Sequence, residues 1–407
     1  MVSVCFYFQV HQPLRMRKYS VFDIGQNTHY WDDQKNKQIM EKVAKKCYLP
    51  MNRLVLDMIN KMDGRFKVAY SLSGVFLEQA KEFVPAVVES YEELAKTGCV
   101  EFLDETYYHS LSYLYSKEEF KEQVHLHRKM MWELFKQRPR VFRNTELIYS
   151  NEIAHFVQGL GYEGIIAEGA DHILDWRSPN FVYRPKTAEK MKLLLKNYRL
   201  SDDIAFRFSN SSWKDYPLSV EKYAKWINAA NGSGEVVNLF MDYETFGEHQ
   251  WSTTGIFQFM KRLPAEILKH HDNDFLTPSE VIGRYEAKDE IDIHNVISWA
   301  DVERDLSAWL GNKMQTSAIS RLYAMEHAIK NSHDPKLLED WRKLQISDHF
   351  YYMCTKWFAD GDVHKYFNPY DSPYDSFIAF MNVVNDLTLR MKKQQSPQGS
   401  EAASAIV

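Results

Sequence analysis

Four short stretches of the sequence set carboxylates or imidazoles among large aromatics: His11 and Gln12 in VHQP, Asp104 to His109 in DETYYH, Glu146 in RNTELIY, and Asp242 to His249 in MDYETFGEH. In the last of these, Asp242, Glu244, Glu248 and His249 interleave with Tyr243, Phe246 and the nearby Trp251. A solvated charge run usually avoids large aromatics; this mixture suits a pocket for a polar ring with apolar faces. Two carboxylates in such a pocket, one ionised and one kept protonated, are what cleavage of a glycosidic bond needs, and retention of configuration needs them about 5–5.5 Å apart. Each residue also has a plainer reading. Glu146 could be a helix-start glutamate paired with Arg143. A lone histidine after a strand, such as His11, is more often a hydrogen-bonded structural residue. His125 and His127 fall on a polar amphipathic helix at a spacing that does not share a face, so both are expected at the surface.

The elements that must position these residues follow a strand–helix rhythm. Seven short apolar, β-branched runs are expected as strands: 2–10, 66–72, 99–103, 141–145, 164–167, 193–198 and 236–242. Amphipathic stretches at 35–62, 75–96, 117–137, 151–160 and 220–230 separate most of them, which predicts a parallel α/β arrangement. The chemically loaded residues sit just past the C-terminal ends of strands one, three, four and seven, where parallel α/β folds build their sites. Loops from four different strands converge only if the sheet curls on itself, so a barrel is expected over an open sheet. Beyond about residue 290 strand signals fade, and helices are expected at 302–328, 335–354 and 376–393, with Pro369 and Pro373 breaking the chain before the last. The expected organisation is a catalytic barrel over 1–290, a helical region over 291–393 that completes the active site, and a disordered tail over 394–407.

Composition narrows the function. With 50 basic and 55 acidic residues the net charge is −5, and no Lys/Arg block suited to a phosphate backbone occurs, which argues against a nucleic-acid partner. The 10 Trp, 24 Tyr and 24 Phe supply stacking faces for sugar rings as well as core. Cys5, Cys47, Cys99 and Cys354 are scattered without metal-ligand spacing, so neither structural zinc nor a disulfide framework is expected, and a reducing cytoplasm is the expected setting. No apolar stretch is long enough to span a membrane, and the N-terminal run reads as a buried strand rather than a signal peptide. Glycine-rich nucleotide motifs and a GxSxG elbow are missing, so no cofactor is expected and a serine hydrolase is not.

Taken in order, five segments resemble glycoside hydrolase family 57, a family of α-amylases, 4-α-glucanotransferases, branching enzymes and amylopullulanases. They are HQP at His11–Pro13, GCVEFL at Gly98–Leu103, RNTELIY, MDYETFG, and SWADVERDLSAWLGN at Ser298–Asn312. The resemblance covers roughly residues 1–330 and departs from the family pattern at Cys99, Phe142 and Arg143. It implies an incomplete (β/α)7 barrel followed by helices and a retaining mechanism without metal or other cofactor. It places Glu146 as nucleophile and Asp242 as general acid/base. It further implies substrate contacts from His11, Gln12, Glu101, His109, Glu244, His249, Trp299, Asp305 and Trp309, and an α-glucan or maltooligosaccharide as substrate. α-Amylase-type hydrolysis of α-1,4-glucans is the expected activity, with 4-α-glucanotransfer on the same site as the alternative. A metal-dependent polysaccharide deacetylase would need an Asp and two His on a divalent ion, and no HxxxH pair lies near a strand end. A non-catalytic glucan-binding protein would not need both carboxylates.

Overall fold

The computed structural model describes residues 2–356 and 368–395. The seven expected strands form: β1 (Ser3–Val10), β2 (Val68–Leu72), β3 (Val100–Phe102), β4 (Val141–Arg143), β5 (Gly164–Glu168), β7 (Lys192–Lys196) and β8 (Val236–Asp242). Three short strands were not expected: β6 (Val182–Pro185), antiparallel to β7, β9 (Asp274–Phe275) beside β1, and β10 (Glu290–Ile291) beside β6. A four-residue strand that ends in proline, or a two-residue strand, carries no periodicity to read.

Continuous ladders run β3-β2-β1-β8 and β7-β5-β4, every neighbour parallel. Two narrow seams join them. Between β3 and β4, Asp104 bridges Phe142, with Arg143 N on Asp104 O at 2.8 Å and Asp104 N on Val141 O at 3.2 Å. Between β7 and β8, Asn197 N reaches Asn238 O at 2.9 Å and Asn238 Nδ2 returns to Leu195 O at 3.0 Å. The order around the ring is thus β1-β2-β3-β4-β5-β7-β8, an incomplete (β/α)7 barrel, as expected.

Alternate residues of each strand serve two cores. Cys5, Tyr7, Ala69, Leu103, Val141, Ile166, Leu194 and Phe240 fill the interior. Phe6, Phe8, Val68, Tyr70, Phe102 and Leu239 face the surrounding helices. Burial on both faces explains why these strands read as near-continuous apolar runs. The helix expected over 35–62 forms as Asp33–Val43, a π-turn at Ala44–Tyr48, and Leu49–Lys61; the one over 75–96 splits at Val84-Pro85, because proline cannot donate to the preceding turn.

His127 corrects the surface reading. It lies on the helix Lys117–Phe135, fully buried, with Nδ1 on Asp104 and Nε2 on Leu72 O at 2.8 Å, while His125 is exposed. The stripe Phe120, Val124, His127, Met131 has helical spacing and faces the barrel. Burial alone would lower the basicity of this imidazole; the Asp104 carboxylate outweighs it and raises it. Tyr162 and Arg128 also bind Asp104, so this carboxylate clamps the β3/β4 seam. His127→Ala leaves a buried carboxylate short of its main partner, and a loss of about 3 kcal/mol is expected in a urea titration.

The chain divides into two compact units: Met1–Pro13, Gln34–His109 and Glu118–Leu306 in one, Leu14–Asp33, Ser110–Lys117 and Ser307–Val407 in the other. In the second unit, the helices expected over 302–328 and 335–354 form as Ser307–Leu310, Lys313–Tyr323, Glu326–Asn331, Pro335–Lys343 and Ser347–Tyr351. The last helix is Pro373–Gln395: Pro373 opens it instead of breaking the chain before it, since the first helical position needs no N–H donor. Of the expected tail, 394 and 395 belong to this helix and 396–407 lie outside the described residues. Trp341 and Phe350 anchor this unit, and buried Asp340 accepts from Arg390 at 2.8 Å. Among the described residues no helix is long and apolar enough to cross a membrane. None of the four cysteines forms a disulfide, and all are buried.

Candidate active site

Glu146 follows β4 in a left-handed conformation, φ 58° and ψ 24°, and Leu147 after it is also left-handed. Non-glycine residues rarely take this form and it is concentrated at functional sites. Local bonds hold it: Leu147 N on Asn144 O at 3.0 Å, Asn144 Nδ2 on Ile148 O at 2.9 Å, and Trp299 N on Glu146 O at 3.2 Å. The carboxylate is clasped from two sides. Trp299 Nε1 donates to Oε2 at 2.9 Å, and His109 Nε2 stands 3.2 Å from Oε1.

His109 is itself left-handed, φ 50°, and is gripped behind by Glu105, whose Oε2 lies 2.8 Å from Nδ1. Burial would push the imidazolium down, but the bonds to Glu105 and Glu146 overcome this and lift it to about 9. Burial likewise raises Glu105, and His109 and Arg143 outweigh it, holding its carboxyl at about 2. The pair is therefore imidazolium and carboxylate at neutral pH, and His109 donates from both ring nitrogens. Ser71 Oγ at 2.5 Å and Gln9 Nε2 at 3.5 Å satisfy the other oxygen of Glu105. His11, with Nδ1 2.6 Å from Ser73 Oγ, stacks its ring on His109 at 4.0 Å between centroids.

Asp242 ends β8, in register with Gln9 of β1. Burial and then the charge of Glu146 lift its carboxyl to about 6, against the opposing pull of Arg143, Lys196 and His109. Two carboxyl groups that feel each other this way, one hydrogen-bonded by two donors and one raised, have environments that separate their protonation. The buried Arg143 guanidinium lies 5.2 Å from the Trp299 ring centroid and Lys196 Nζ lies 5.3 Å from it, so the indole bonded to Glu146 is bracketed by cations.

Beside Asp242, Glu244 is buried against Tyr48 OH at 2.5 Å; burial and the Asp242 charge push it to about 8. Gln12 hydrogen-bonds this carboxyl and lowers it in part. Burial pushes His249 down to about 4, which leaves it neutral. Gly247 makes the loop possible: at φ 106° an added Cβ would fall 2.1 Å from the Lys46 carbonyl.

Residues 5–294 match glycosyl hydrolase family 57. The chain belongs to this family. The family-57 segment thus contains the clustered His109, Glu146 and Asp242 described above. A protein of Methanocaldococcus jannaschii described as "Putative alpha-amylase" is 47% identical over 406 residues, covering 96% of this chain and 85% of its own. The fold is shared with a 4-alpha-glucanotransferase of Thermococcus litoralis at TM-score 0.66 and 15% identity, covering 86% of this chain and 56% of that one. It is shared equally with a family-57 branching enzyme of Pyrococcus horikoshii, TM-score 0.66 and 15% identity, over 90% and 87% of the two chains.

Not every residue expected in the site joins this cluster. The structure brings together His109, Glu146, Asp242 and Trp299, with His11 on His109, and Gln12 with Glu244. Glu101 instead sits on β3 and accepts from Ser279 N at 2.8 Å and Ser279 Oγ at 2.6 Å, fastening the start of the helix Pro278–Arg284. Asp305 is exposed, and its carbonyl takes the Ser298 hydroxyl at 2.6 Å. Trp309 belongs to the second compact unit, buried against Tyr351. Arg143 pairs with Glu105 at 4.0 Å. Glu105 and Lys196 were missed as individual site residues, though Glu105 stands i−4 to His109 in a loop already marked by its position. Among the described residues, the group of three side chains within mutual reach of a metal ion is His270, His271 and Asp272, in the turn after the helix Ile256–Ile267.

Proposed function

We propose that this chain hydrolyses α-1,4-linked glucans by double displacement, with Glu146 as nucleophile and Asp242 as general acid/base. The observation that carries the reading is the clasp on Glu146 by Trp299 and His109 beside a half-buried Asp242 whose carboxyl is raised. In the first step a Glu146 oxygen bonds to the anomeric carbon as the glycosidic C–O bond breaks, and Asp242 gives its proton to the departing oxygen. In the second, the Asp242 carboxylate takes a proton from water, whose oxygen bonds to the anomeric carbon while Glu146 leaves as carboxylate. Hydrogen-bond donors on both Glu146 oxygens keep that group charged and aimed, and stabilise it again as it departs. His11 and neutral His249 serve as hydroxyl partners for the sugar. The name of the M. jannaschii relative, with 47% identity across most of both chains, supports hydrolysis, and four buried cysteines outside any disulfide support a cytoplasmic setting.

Incubation with maltooligosaccharides of one defined length tests the reading. Only shorter chains, with new reducing ends, are expected; chains longer than the substrate would assign 4-α-glucan transfer instead, and no turnover would remove the proposal. The pH profile adds a second test. Asp242 must be protonated in the free enzyme, so kcat/KM is expected to be high below about 6 and to fall as pH rises through that value. His109, at about 9, contributes no limb near neutrality.

A further inference from the structure

Three large aromatic side chains project into solvent after β5, β7 and β8: Trp176 is 81% exposed, Phe206 57% and Trp251 62%. These strands are neighbours in the ring, so their C-terminal ends share one sector of the rim. Single exposed aromatics need no explanation, but three on adjacent rim loops do. The short helix Tyr198–Ala205 ties them together. At its start, Tyr198 OH and Arg199 Nη2 donate to Asp171 Oδ2 at 2.7 and 3.0 Å; Asp171 opens the turn that leads, through left-handed Asp175, to Trp176. At its end, Gln250 Nε2 donates to Ala205 O at 2.9 Å. Phe206 and Trp251 are the next residues along, so they flank one hydrogen bond. An eight-residue helix rises about 12 Å, which sets the scale of the array.

The same helix faces the site. Asp202 holds Lys196 at 3.5 Å and Arg304 at 4.0 Å, and Lys196 lies against the Trp299 ring whose N–H is on Glu146. The chain neighbours of the rings are polar: Arg177, whose guanidinium lies 5.6 Å from the Trp176 ring centroid, Arg207 after Phe206, and Ser252 after Trp251. Apolar faces set among hydroxyl and guanidinium groups match a sugar polymer better than an aliphatic protein surface.

We propose that Trp176, Phe206 and Trp251 form an aromatic rail that binds the distal part of a long α-glucan whose scissile bond lies at Glu146 and Asp242. The rail deepens the functional reading above and rests on it for the nature of the sugar.

Electrophoresis through gels containing soluble starch tests it, with Glu146→Gln as background so that the polysaccharide is not consumed. The background protein is expected to be retarded. Adding Trp176→Ala and Trp251→Ala together should weaken the derived association constant by about tenfold, the scale of losing buried ring area. Tyrosine at both positions should restore most of it. An unretarded background protein, or retardation indifferent to the alanines, overturns the rail. So does loss of self-association in place of starch binding. In the active enzyme the ratio of kcat/KM on amylose to that on maltotriose should fall about tenfold with the alanines; equal losses on both, or none, also overturn it. Should the wild-type chain turn over no α-glucan, the catalytic proposal fails while starch retardation still decides the rail.

Discussion

Glu146→Gln is expected to lower kcat by at least about 10⁴-fold, which is about 5.5 kcal/mol of transition-state stabilisation, while the unfolding midpoint barely moves. An amide retains an oxygen to accept the Trp299 N–H but sets its NH2 against the His109 N–H, and the left-handed backbone is common to both side chains, so only a local adjustment at His109 is expected. What disappears is the charged oxygen that, in the proposed mechanism, bonds to the anomeric carbon. A shorter variant makes the role explicit. With Glu146→Gly and an aryl α-glucoside, azide is expected to attack the anomeric carbon directly and give the β-azide, because the first inversion is no longer followed by a second. Near-normal turnover in Glu146→Gln, or an α-azide from the glycine variant, would remove Glu146 from the nucleophile role.

Asp242→Asn is expected to cost about 10²–10⁴-fold on maltooligosaccharides, the usual worth of a positioned proton donor. The loss should depend on the leaving group. An aryl leaving group departs without help, so glycosylation of Glu146 should remain fast and deglycosylation should become limiting. Azide should then accelerate turnover and give the α-azide, the opposite anomer to the Glu146 case. The fall in kcat/KM above pH about 6 should vanish with the carboxyl that causes it. A uniform loss across leaving groups, with the pH limb intact, would assign Asp242 to positioning only.

The strands were legible because burial on both faces demands apolar, β-branched runs, and the position of Glu146 just past one strand and of Asp242 at the end of another followed from that alone. Less legible features have physical reasons. His127 was read against His125, yet its partners in space are Phe120, Val124 and Met131, one and two turns away on the barrel face. Glu105 lies one residue beyond Asp104, and no local pattern says that Asp104 clamps a seam while Glu105 turns to His109. Lys196 ends a strand, and nothing local in the sequence marks it; its place in the site comes from Trp299, over a hundred residues later in the chain. Short strands such as Val182–Pro185 exist through pairing with a neighbour, a non-local cause that composition does not carry.

The left-handed pair at Glu146 and Leu147 bears on how the enzyme would respond to artificial selection. Each non-glycine residue in that conformation costs the folded state on the order of 1–2 kcal/mol, and glycine or asparagine would cost less. A library screened for heat resistance alone would therefore be drawn toward residue types at 146 that fit the backbone better and lack the carboxylate. With Glu146 in the proposed role, thermal improvement at this position and catalysis pull in opposite directions, so any screen must read turnover alongside survival.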